Sequence, residues 1–193
     1  MYFLNTRYPF SAGKTWTKIK TWIFNHFFTQ LEISYTWQKP RNIEFIKDLD
    51  HLEGLVIESH RSFDLTPLSK CSELTYLNIG CQISKDTRVD LSSPPLDTYL
   101  GRDEMVLRSI YKNKSLRKIT ITGYGGRDLQ AFETQSIERI TINGSTALEG
   151  LTGIEKLPNL KLVEIERCPS LKRAAEFAFD YPNIQIYVDG KNQ

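Results

Sequence analysis

At 193 residues the chain is long enough for one domain with a sizeable core. A net charge of +2, with 25% charged residues, lacks the dense basic face of a dedicated nucleic-acid binder. Cys71, Cys81 and Cys168 are an odd, dispersed set without C-x-x-C spacing, which favours a reducing compartment over a disulfide framework.

The chain opens on Met1-Tyr-Phe-Leu-Asn, which has neither a basic n-region nor a small-residue cleavage site, so no signal peptide is expected. No run approaches the roughly 18 apolar residues of a membrane span. A cytoplasmic chain is the expectation. In residues 1–27, Trp16, Ile19, Trp22, Ile23 and Phe27 fall on one helical face, with Lys14, Lys18 and Lys20 mostly elsewhere. Two readings stand: a helical cap over the first unit of the fold, and a basic aromatic helix lying on a membrane surface. Gly13-Lys14-Thr15 is not a phosphate loop, because Tyr8 occupies the place of its first glycine.

From residue 28 onward one pattern recurs. Phe28-x-x-Leu31-x-Ile33 leads to Ile43-x-x-Ile46, and Leu52-x-x-Leu55-x-Ile57 leads to Leu65-x-x-Leu68. Then come Leu74-x-x-Leu77-x-Ile79, Leu116-x-x-Ile119-x-Ile121, Ile137-x-x-Ile140-x-Ile142 and Leu160-x-x-Val163-x-Ile165. The alternating pair is a strand period and the pair at spacing three is a helical-turn period. Start-to-start spacings are 24, 22, 42, 21 and 23 residues. The 42 reads as one unit plus an insertion at about 83–105, a charged stretch around Ser92-Ser-Pro-Pro-Leu96. It is expected either as a tolerated surface loop or as part of a binding face. Ala174 to Phe179 reads as a last helix, and Ile184–Val188 as a final edge strand stopped by Asp189-Gly190-Lys191.

This pattern matches the leucine-rich repeat. Phe63-Asp-Leu65-Thr-Pro67-Leu68-Ser-Lys-Cys-Ser-Glu-Leu74-Thr-Tyr-Leu77-Asn-Ile79 resembles the short, 22-residue repeat of internalin-like and many small bacterial proteins. The resemblance covers roughly residues 28–188. It implies an α/β fold: a right-handed solenoid of six repeats plus an edge strand over residues 28–193, with a parallel concave sheet and short helices or 3-10 turns on the convex side. The sequence departs from the repeat at the asparagine column, which holds Thr36, His60, Gln82, Tyr124, Ser145 and Cys168, so the turn-side hydrogen-bond ladder is expected to be irregular.

Catalytic and metal chemistry find little footing. His26, His51 and His60 have no metal spacing among themselves or with the cysteines. Cys81 and His60 fall at neighbouring columns of adjacent units and stand as a nucleophile–base pair against a reading as ordinary packing. Glu164 and Glu166 alternate as solvent-facing strand charges do. No enzyme and no cofactor are expected. Strand residues facing away from the core define the expected binding face: Glu32, Glu58, Tyr76, Asn78, Lys118, Thr120, Arg139, Thr141 and Glu164. Tyr76 is its expected anchor, Lys118 and Arg139 are to meet acidic groups, and Asp97 and Arg102 of the insertion are to close over the partner's edge. The expected function is non-enzymatic binding of one protein partner. Small bacterial leucine-rich-repeat proteins without a signal resemble immunity proteins that neutralise a cognate toxin. The alternative is an intracellular scaffold or regulatory subunit bound to a host enzyme.

Overall fold

Aliphatic residues spaced two apart bury one side of a strand and leave the other to solvent, and the chain uses that rule repeatedly. The computed structural model describes residues 29–34, 42–49 and 51–193. The expected cap at 1–27, with Phe28, Thr36 and the membrane-surface alternative, lies outside them.

Among the described residues one sheet contains nine strands in sequence order: β1 (Gln30–Ser34), β2 (Gly54–Phe63), β3 (Tyr76–Ile83), β4 (Thr98–Arg102), β5 (Lys118–Thr122), β6 (Arg139–Asn143), β7 (Leu162–Glu166), β8 (Gln185–Val188) and β9 (Lys191–Asn192). Strands β1 to β8 are parallel, and β9 returns antiparallel on β8. The connections carry 3-10 turns at Glu44–Asp48, Thr66–Lys70, Met105–Lys112 and Ile154–Lys156, and a short helix α1 (Ala174–Asp180). The molecule is thus an α/β protein built on a mostly parallel sheet. No helix among the described residues is long and apolar enough to cross a membrane.

Register aligns the core. Leu31, Leu55, Leu77, Tyr99, Ile119, Ile140, Val163 and Ile186 form one row, and Ile33, Ile57 and Ile79 begin the next. The alternating aliphatics Leu55, Ile57, Leu77, Ile79, Ile119, Ile121, Ile140 and Ile142 are all buried. Behind the sheet the 3-10 segments contribute Ile46, Leu68, Leu107, Ile110 and Ile154 to the same core.

Two expectations are corrected. The stretch 83–105 is not a loop outside the sheet, because β4 pairs with β3 on one side and β5 on the other. Leu91, Leu96 and Tyr99 are buried, and Asn113 Nδ2 donates to the carbonyls of Leu91 at 2.6 Å and Pro94 at 2.8 Å. The interval of 42 residues from Leu74 to Leu116 is therefore 22 to Leu96 and 20 more to Leu116. Gly101 stands where its neighbour β5 has Ile121, and a Cβ built on it would lie 2.8 Å from Tyr99 Cζ. The tyrosine ring occupies the volume of the missing side chain. The second correction is at the far end, where β8 is not the edge. Asp189 and Gly190 turn the chain with φ of +48° and +75°, and β9 pairs back.

Left-handed residues end several strands: Gly123 (φ +69°), Gly144 (+66°), Arg167 (+52°) and Asp189. Glycine adopts that backbone without strain and arginine does not. Just beyond, Ser145 Oγ donates to the Tyr124 carbonyl at 2.5 Å and accepts from Leu148 N at 3.0 Å, while Ser145 N donates to Cys168 Sγ at 3.4 Å. At Ser145 and Cys168 a hydroxyl and a thiol thus make the side-chain contacts just beyond the strands.

Candidate functional site

Because the core rows are fixed, the rows facing away from the core follow by alternation. One row runs Gln30, Gly54, Tyr76, Thr98, Lys118, Arg139, Leu162, Gln185, and the next Glu32, Val56, Asn78, Leu100, Thr120, Thr141, Glu164, Tyr187. Toward the strand ends lie Glu58, Gly80, Arg102, Thr122, Asn143 and Glu166. All eleven residues expected at a binding surface are on this face or, for Asp97, at its margin. Thr98, Leu100, Gln185 and Tyr187 were not expected there. Leu96-x-x-Tyr99 at the 22-residue spacing would have revealed the first two.

Within this face the chemistry is uneven. On β6 and β7 the polar side chains engage one another, with one ion pair among them. Arg139 Nη2 and Nε donate to Glu164 Oε2 at 2.6 and 3.1 Å, and Thr141 Oγ1 donates to the same oxygen at 2.9 Å. Asn143 Nδ2 donates to Glu166 at 3.1 Å, and Arg167 Nη2 donates to Asn143 Oδ1 at 2.6 Å. Arg139, expected to meet a partner's acid, has Glu164 as its acid within the chain.

On β2 to β5 the outward side chains make fewer such contacts; Thr98 Oγ1 donates to Asp97 Oδ2 at 2.8 Å. Val56, Tyr76, Asn78, Thr98, Leu100 and Thr120 are half-buried, and Gly80 contributes no side chain. Lys118 and Arg102 are exposed on one flank, and neither has an ion pair among the described residues. On the other flank Glu32 and Glu58 are likewise without one. Just beyond the first paired register, β2 and β3 slip between Glu58 and Ser62.

Asp97 and Arg102, expected to move over a partner, instead bracket β4 inside the sheet. Asp97 O accepts from the backbone N–H of Arg117 and of Lys118, both at 2.9 Å. Asp97 also begins a line of alternating charges along the strand entries: Arg117 lies 3.7 Å from Asp97 and 2.5 Å from Glu138, which Lys161 meets at 2.9 Å. The hydrogen bonds from Lys161 and Arg117 hold the Glu138 carboxyl below its ordinary pKa. These pairs are exposed and contribute little stability.

The Cys81–His60 pairing does not form. Cys81 is buried in the core, and burial pushes its thiol up to about 11, away from thiolate chemistry. His60 is exposed inside the register slip, and no hydrogen bond joins the two. Cys71 is likewise buried and raised to about 11. Among the described residues no group of three or more His, Cys, Asp or Glu is placed to hold a metal ion.

A carboxylate the sequence did not single out is Asp103, whose side chain is 1% exposed. Arg108 donates to it from Nε and Nη2 at 3.1 and 3.0 Å, Tyr111 Oη at 2.8 Å and Gly125 N at 2.8 Å. Burial pushes its pKa up, but the donors from Arg108, Gly125 and Tyr111 outweigh that, so the net shift is downward. All its directions are used, so it ties the 3-10 segment to the turn after β5 rather than facing a ligand. A lowered folded pKa gives stability that is present above the ordinary aspartate pKa and lost as pH falls through the folded value. Asp103→Asn should therefore cost about 2 kcal/mol near neutrality, and its gap to the parent should narrow on acidification. Melting temperature followed against pH checks this; a gap that widens in acid would contradict it.

No family model matches the chain, and a search of curated proteins gives no match.

Proposed function

We propose that the chain is a right-handed leucine-rich-repeat solenoid, with the sheet as its concave face and the 3-10 turns and α1 on its convex side. In this reading it is a non-enzymatic module that binds one protein partner across the concave strands. The observation that carries the reading is the contrast along one face. On β6 and β7 Arg139 pairs with Glu164 and Asn143 donates to Glu166, whereas β2 to β5 present Val56, Tyr76 and Leu100 half-exposed beside Lys118 and Arg102, which have no ion pair among the described residues. Side chains that bury area on contact and carry a polar handle are the usual energetic centres of an interface. The neutralised base of β6, Arg139, and the small net charge favour a shaped protein over a polyanion.

The most specific form of this reading is a toxin-neutralising immunity protein acting in the cytoplasm, and it rests on the repeat resemblance. Tagged protein drawn from its own lysate should bring down one stoichiometric protein. A partner whose toxicity is relieved by this chain supports immunity, and a housekeeping enzyme as partner replaces it with the scaffold reading. If nothing co-elutes in stoichiometric amount, the binding function fails.

A further inference from the structure

The open part of the face is electrically bipolar, and this narrows the partner, given the reading of that face as a binding surface. Among the described residues Glu32 on β1 and Glu58 on β2 are acids without an ion pair, while Arg102 on β4 and Lys118 on β5 are bases without one. Between them lie Val56, Tyr76, Asn78 and Leu100, and the bare backbone of Gly80. Glu58 leans across that backbone, its Cγ 3.5 Å from where a Gly80 Cβ would stand. Beyond β5 the pattern stops, because Arg139 is consumed by Glu164. Strands lie about 4.8 Å apart, so the acidic and basic flanks are separated by roughly 10–20 Å.

We infer that the partner presents a segment lying across the strands that is itself bipolar. Its basic end sits over β1 and β2, its acidic end over β4 and β5, and an apolar or aromatic side chain between them packs on Val56, Tyr76 and Leu100. A segment acidic throughout would meet Glu32 and Glu58 with like charge, and a basic one would meet Arg102 and Lys118. Opposed like charges at an interface select strongly against such partners. The span corresponds to about two to four helical turns, or about three to six extended residues.

The probe is a phage-displayed library of random peptides about a dozen residues long, a length that covers this span as helix or strand, selected on the immobilised full chain. Enriched peptides should carry Lys or Arg and Asp or Glu on opposite sides of an apolar residue. Their affinity should fall at least tenfold for Lys118→Glu with Arg102→Glu, and comparably for Glu32→Lys with Glu58→Lys. Thermal melts of each variant establish that the fold is kept. Enrichment of peptides of one charge sign overturns the inference, as does no enrichment over a bare surface. Peptides weakened by Tyr76→Ala but indifferent to both charge reversals would leave the face as the binding site and remove the bipolar assignment. Peptides indifferent to all three changes would remove the face itself.

Discussion

Gly101→Ile should destabilise the protein by about 3 kcal/mol, because the new side chain enters volume already held by the Tyr99 ring. The ring cannot step aside cheaply. It is 1% exposed, sits between Leu77 and Ile119 in the core row, and reaches the Arg102 carbonyl at 3.5 Å through its hydroxyl. Tyr99→Leu alone should cost roughly 2 kcal/mol, since a smaller residue leaves the space above Gly101 empty. Made together, Tyr99→Leu and Gly101→Ile restore the aliphatic pair found in β3 and β5. The double variant should then be at least about 2 kcal/mol more stable than the sum of the single losses implies. Denaturant unfolding of the four proteins measures this. Simple additivity would mean that the two positions do not share one volume, and that β4 is held by something other than this exchange.

That exchange also explains what could and could not be read from the sequence. Seven of the eight parallel strands announce themselves by aliphatics two apart, since a half-buried strand needs nothing else. Strand β4 escaped because one tyrosine fills two core positions, leaving glycine where the pattern demands a branched side chain. The face followed from alternation, so its residues were legible. Their state was not: periodicity puts Arg139 and Glu164 two strand positions out of line, and only side-chain reach decides that they pair. Asp103 was invisible for a related reason. Its donors come from Arg108 and Tyr111 in the following 3-10 segment and from Gly125 beyond the next strand, a constellation with no period.

The second large effect concerns binding. Tyr76 lies in the middle of the open region, on β3 between Gly54 and Thr98, half-buried with its ring available to a partner. Tyr76→Ala removes the largest side chain of that region without cutting the core, so the loss should appear in affinity and hardly in folding. A central aromatic anchor is worth about 2 kcal/mol or more, which corresponds to a loss of affinity on the order of 30-fold. Lys112 is the matching control: it belongs to the 3-10 segment behind the core and pairs with Glu133 at 3.1 Å. The most direct measurement is therefore the Kd of the co-purified partner for Tyr76→Ala and Lys112→Glu side by side. A loss of about 30-fold for Tyr76→Ala, with Lys112→Glu unchanged, is the predicted result; the reverse order would place binding on the other side of the sheet.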